Sequence, residues 1–98
     1  MNYGLSDQEL SFLEQLVLIP LKNSGARVFL FGSRARGTHH KYSDLDILVA
    51  SEIDLSRLVN DILERLEQSN FPYKVDIVED RLLSSNYRPG VERDLIQL

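Results

Sequence analysis

The 98-residue chain contains no cysteine, which excludes disulfides and thiolate metal sites and fits a reducing compartment. It has no apolar stretch able to span a bilayer: the run from Leu16 to Leu21 is far too short and includes Pro20. The N-terminus lacks a basic segment followed by an apolar one, so no secretory signal is expected, and the expected location is cytoplasmic. An excess of positive charge is missing as well. Eleven Lys and Arg against fifteen Asp and Glu leave a net charge of -4, so direct nucleic-acid binding is disfavoured. No repeat, low-complexity tract or linker divides the chain, and 1–98 is expected to be a single domain with a modest core. Two familiar phosphate loops are absent too. Gly32 and Gly37 have the Walker A spacing, but Thr38 stands where that motif needs its lysine, and there is no Gly-x-Gly-x-x-Gly.

What is present is a periodic, ordinary globular pattern, 43% apolar and 27% charged. Ser6 and Glu9 have capping-box spacing, and Leu5 and Leu10 are placed for a hydrophobic staple. Leu10, Leu13, Leu16 and Val17 then mark a helical face that Pro20 ends or kinks. Arg27 to Phe31 reads as a short buried strand, and Asp44 to Ala50 as a second. Leu55, Leu58, Val59, Ile62, Leu63 and Leu66 predict a helix over 55–68, with Asp54 as N-cap and Asn70 and Pro72 as stops. Tyr73 to Glu79 predicts a third strand, and the tail a short helix near 89–96. Strands and helices in this order predict an α/β (α+β) fold, a small mixed sheet backed by helices.

The chemistry-bearing residues fall in three places. Phe31-Gly32-Ser33-Arg34-Ala35-Arg36-Gly37 sets a Gly-Ser turn directly after the first strand. There, Gly32 lets backbone approach a ligand and Ser33 offers an N–H and a hydroxyl to a phosphate. Asp44 and Asp46 follow, two places apart, so alternation puts them on one face while Leu45, Ile47 and Val49 take the other. Asp76 lies mid-strand between Val75 and Ile77, and falls on the side of Asp44 and Asp46 if strands two and three pair with their apolar faces aligned. Any one of these acids alone reads best as a solvated surface carboxylate. Three on one face raise one another's pKa unless a cation compensates, and hard oxygen ligands with open positions suit Mg²⁺ or Mn²⁺. Arg34 and Arg36 match phosphate oxygens but equally suit solvent or a partner surface. His39 and His40 make a poor zinc site and read as a solvated loop. Tyr42 and Tyr87 suit stacking on a base or partial burial.

Gly32-Ser33-Arg34-Ala35-Arg36-Gly37 and Ser43-Asp44-Leu45-Asp46 together resemble the G-S-x-x-x-G…S-D-x-D signature of the DNA polymerase β-like nucleotidyltransferases. The small size and Lys74-Val75-Asp76 further resemble the minimal nucleotidyltransferase (MNT) group, with the similarity running from about Phe29 to Glu79. The resemblance implies a polymerase β-like core with Asp44, Asp46 and Asp76 as catalytic metal ligands and Gly32 and Ser33 as the triphosphate-binding turn, and the guanidinium of Arg34 is expected beside them at the nucleotide. It also implies Mg²⁺ or Mn²⁺ as cofactor, ATP as substrate and a small helical HEPN-type partner, as antitoxin to toxin. Some members transfer AMP from ATP to a tyrosine of that partner. The rival expectation is a binding module that neutralises a toxin by contact alone, with its catalytic motif idle.

Overall fold

The computed structural model describes residues 2–98. Its first helical stretch starts where Ser6 and Glu9 predict. The Ser6 hydroxyl accepts from the Glu9 N–H and the Glu9 carboxylate accepts from the Ser6 N–H, closing the capping box. Helix α1 (Asp7–Leu13) runs into a π-helical segment (Glu14–Leu18) and then into α2 (Ile19–Asn23). Pro20 therefore does not end the helix. Its missing N–H and its ring conflict with the carbonyl four residues back, and the wider π turn, in which the Ile19 N–H bonds to Glu14 O, accommodates both.

Strand β1 (Arg27–Phe31) leads through the single helical turn α3 (Ser33–Arg36) and a loop to β2 (Leu45–Ala50). Helix α4 (Ser56–Glu67) then crosses back to β3 (Val75–Glu79). A 3-10 turn (Asp80–Leu82), α5 (Arg88–Glu92) and β4 (Ile96–Gln97) complete the chain. The sheet order is β3-β2-β1-β4, with β2 and β3 parallel and both pairings of β1 antiparallel. The parallel pair requires a crossover, which α4 supplies. The protein is an α+β fold with a mixed four-stranded sheet. Two expectations for the tail and the strands change: the predicted helix over 89–96 stops at Glu92 and yields to β4, and the second and third strands begin at Leu45 and Val75.

One face of the sheet carries the core. Val28 and Leu30 of β1, Leu45, Ile47 and Val49 of β2 and Val75 of β3 pack with Leu13, Val17, Leu21, Val59, Ile62 and Leu66 from the helices. These are the alternate strand positions and the helical stripe that the sequence pattern selects. The start of α4 departs from expectation. Asp54 does accept the Ser56 N–H at 2.8 Å, but the Leu55 N–H and the Ser56 hydroxyl both donate, at 2.9 Å, to the buried carboxylate of Glu79. Glu79 closes β3 and so caps α4 from across the crossover.

Candidate active site

The parallel register sets Asp46 directly opposite Asp76, and the antiparallel register sets Phe31 opposite Asp46. Since the neighbours Leu45, Ile47, Val75 and Ile77 face the helices, Asp46 and Asp76 share the opposite face. Asp44 immediately precedes β2 and is exposed. Burial is the main influence lifting the Asp46 carboxyl above its ordinary pKa, with the charges of Asp76 and then Asp44 adding to it, while Arg36 and Lys74 pull the other way. Asp76 and Asp44 therefore both act electrostatically on Asp46.

Among the described residues, no three carboxylate or imidazole groups close into a ready-made metal cage. The Asp76 carboxylate instead pairs with Lys74 Nζ at 3.7 Å. The donor set nonetheless fits Mg²⁺ or Mn²⁺: hard carboxylate oxygens, with Asp76 and Asp44 both adding negative charge at Asp46, Asp44 exposed and Asp76 half-buried.

The Gly-Ser turn lies against this cluster. Gly32 has φ of 80° and ψ of -159°, and a Cβ there would land on Asp46 Oδ2 and stand 3.2 Å from its Cγ. Only glycine meets both demands, since the backbone turns through positive φ and leaves room for the carboxylate. Ser33 opens α3, and Gly37 ends it in the left-handed conformation.

The two arginines of the turn part company. Arg34 is 1% exposed. Its Nε and Nη2 donate to Ser43 O at 3.0 and 2.8 Å, its Nη1 donates to Tyr3 O at 2.8 Å, and its plane lies 4.5 Å from the Tyr73 ring centroid. The expectation of Arg34 at the phosphates does not fit this placement, because its donors are spent on backbone carbonyls inside the protein. Arg36 is the more exposed of the two and pairs with Asp94 at 3.2 Å. It is also the cation of this turn that acts on Asp46.

Other expectations shift as well. Tyr42 and Tyr87 are each 70% exposed, so partial burial accounts for neither. His39 is not simply solvated: it packs against the backbone of Gly4, and its Nδ1 is buried with no hydrogen-bond partner. Sequence reasoning missed Asp94, which lies in a tail segment with no periodicity to mark it. It also missed Tyr73, whose ring reads as strand filling until the fold brings Arg34 beneath it.

A profile of the nucleotidyltransferase domain matches residues 10–97, and the chain belongs to that family. Over 67 residues it is 40% identical to the "Probable protein adenylyltransferase MntA" of Haemophilus influenzae, a match covering 67% of this chain. The chain spans 59% of the length of that curated relative. Among solved structures it is similar to a toxin-antitoxin crystallised with AMP-PNP, with a TM-score of 0.67 and 26% identity over 86% of this chain and 70% of that one. A mutant of the toxin-antitoxin MntA-HpeT gives a TM-score of 0.66 and 27% identity, over 87% of this chain and 70% of that one.

Proposed function

We propose that this chain is a metal-dependent nucleotidyltransferase that moves a nucleotidyl group, AMP from ATP, to a hydroxyl of a partner macromolecule. The observation that carries the reading is the register of Asp46 opposite Asp76 on the face away from the helices, with the Gly32 turn against the Asp46 carboxylate. The printed descriptions of the relatives, an adenylyltransferase and a toxin-antitoxin with AMP-PNP, support it.

Asp44, Asp46 and Asp76 would hold Mg²⁺ or Mn²⁺. When bound, such an ion supplies charge that lowers the pKa of an acceptor hydroxyl and steadies a leaving pyrophosphate. The protein's part is positioning. Gly32 lets backbone N–H groups approach the triphosphate, Ser33 adds an N–H and a hydroxyl, and Arg36 faces the same anion across from Asp46. Asp76 sits beside the acceptor's place, so its loss harms transfer more than nucleotide binding. The acceptor belongs to a partner, here a small helical HEPN-type toxin to which this chain is the cytoplasmic antitoxin.

The competing reading, neutralisation by contact alone, draws on the open arrangement of the carboxylates and the Lys74–Asp76 pair. One experiment separates them. With α-labelled ATP, Mg²⁺ and the candidate partner, label should move onto the partner with release of pyrophosphate, and Asp76→Asn should cut that transfer by orders of magnitude while keeping near-normal nucleotide affinity. Partner binding with no label transferred by the wild type would leave the contact module.

A further inference from the structure

The burial of Arg34 calls for an explanation. A guanidinium removed from water is costly unless all its donors are used, and a hydrophobic side chain of similar size would fill the space at less cost. The residues it binds answer the question. Ser43, whose carbonyl takes two of its N–H groups, is the residue before Asp44. Lys41 O receives a longer third contact at 3.4 Å, so the loop entering β2 is held at two points. Tyr73, under the guanidinium plane, precedes Lys74, whose carbonyl accepts the Leu45 N–H at 2.8 Å and starts the β2–β3 pairing. Arg34 itself follows Ser33 in the phosphate-facing turn. The fourth tie is to Tyr3 O, where the backbone takes a positive φ of 55°, unusual for a residue with a side chain.

One buried cation thus joins the Gly-Ser turn, the loop that delivers Asp44 and Asp46, and the approach to the strand bearing Asp76. We propose that Arg34 is the positioning residue of this site, fixing the spacing between the Gly32–Ser33 turn and the carboxylate cluster without touching nucleotide. The side-chain fork matters here. A planar guanidinium reaches Tyr3 O on one side and Ser43 O on the other, whereas a lysine ammonium is a single centre and cannot serve both. Elsewhere the loop is tied at its start by the Thr38 N–H to Ser33 O at 3.0 Å, and its His39 packs against Gly4. Its internal bonds are the Ser43 N–H to His40 O at 3.1 Å and the His40 N–H to the Ser43 hydroxyl.

The proposal rests on reading the cluster as a nucleotide and metal site, and its test keeps the two apart. Arg34→Met, Arg34→Lys and a core variant away from the loop, Leu66→Ala, are compared with wild type under conditions where all are folded. Amide exchange at His40 and Ser43 should accelerate at least tenfold in both Arg34 variants and stay near wild type in Leu66→Ala. Affinity for Mn²⁺ with ATP, measured by calorimetry, should fall at least tenfold in the same two and not in the control. Should Arg34→Met fail to fold, Arg34→Lys carries the comparison, since it keeps the buried charge. Wild-type loop exchange and wild-type affinity in the Arg34 variants would overturn the proposal, as would an equal loss of affinity in Leu66→Ala. If wild type binds no Mn²⁺ with ATP, the nucleotide reading falls and loop exchange alone decides whether Arg34 is the clamp.

Discussion

The two faces of the same three strands differ in what they carry: one is largely apolar, the other mixes apolar side chains with carboxylates. On the helix side, Leu30, Leu45, Ile47 and Val49 are almost wholly buried. On the other side, the same strands present Asp46 and Asp76 at one end, with half-buried Phe29, Phe31 and Val78 and the buried Leu48 beside them. Residues one peptide apart therefore answer to different demands. Leu45 and Ile47 supply stability, while the carboxyl of Asp46 between them is held above its ordinary pKa, chiefly by burial and then by Asp76 and Asp44. Strand alternation lets a domain this small place a strained polar site on its central strand without opening its core.

The largest way to break that contrast is to injure the apolar face. Ile47→Ala removes a fully buried side chain from the middle of β2, at a cost of about 2–5 kcal/mol. A loss of that size lowers the melting temperature of a domain this small by roughly 10 °C or more. Calorimetric melting checks it, and a drop of only a degree or two would mean that the helix-side face is not the core.

Next in size is the gain from the polar face. Mn²⁺ with ATP, at a free concentration a hundred times Kd, stabilises the folded state by about 2.7 kcal/mol, a rise in melting temperature of roughly 10–20 °C. Asp46→Asn should erase that rise while leaving the fold intact. A wild-type melt unmoved by millimolar Mn²⁺ and ATP would show that the carboxylate face is not a working metal site.

The contrast also explains what was legible in the sequence. Period-two alternation in β2 and the i, i+3, i+4 stripe of α4 located the core face, and with it the side on which Asp46 and Asp76 fall. What stayed hidden depends on contacts between distant residues. The two arginines of Arg34-Ala35-Arg36 look equivalent in sequence, yet only the fold shows that Arg34 turns inward to Tyr3, Ser43 and Tyr73 and Arg36 outward to Asp94. Glu79 looks like a strand-ending surface acid, and its burial at the start of α4 follows from the crossover that brings the two together. The two-residue β4 carries too little pattern to announce itself, and its pairing with Phe29 and Leu30 is what stabilises it. Pro20 reads as ending or kinking the helix, and of these the ending does not occur, because the chain runs on through a π-helical segment into α2.

The smallest expected effect sharpens the comparison most, because it isolates Asp46 without any ligand. Its folded-state pKa is raised above the ordinary value of 3.8, chiefly by burial and then by Asp76 and Asp44. A raised carboxyl binds its proton more tightly in the folded state than in the unfolded one, so its contribution to stability is fully present below the unfolded pKa and is lost as pH rises through the folded one. In metal-free protein, wild type should therefore lose stability relative to Asp46→Asn as pH climbs from about 3.5 towards 7, with the Asn variant melting higher at the neutral end. Asp54, held below its ordinary value mainly by its hydrogen bonds from Ser56, shifts stability in the opposite direction, but it is common to both proteins and cancels in the difference. Saturating Mn²⁺ should then reverse the order, since wild type gains the ion and the Asn variant does not. Melting curves in chelator across this range, followed by the same series in Mn²⁺, read both halves of the claim. A difference between the two proteins that stays flat with pH would mean that Asp46 bears no electrostatic cost, and that the polar face is ordinary solvated surface.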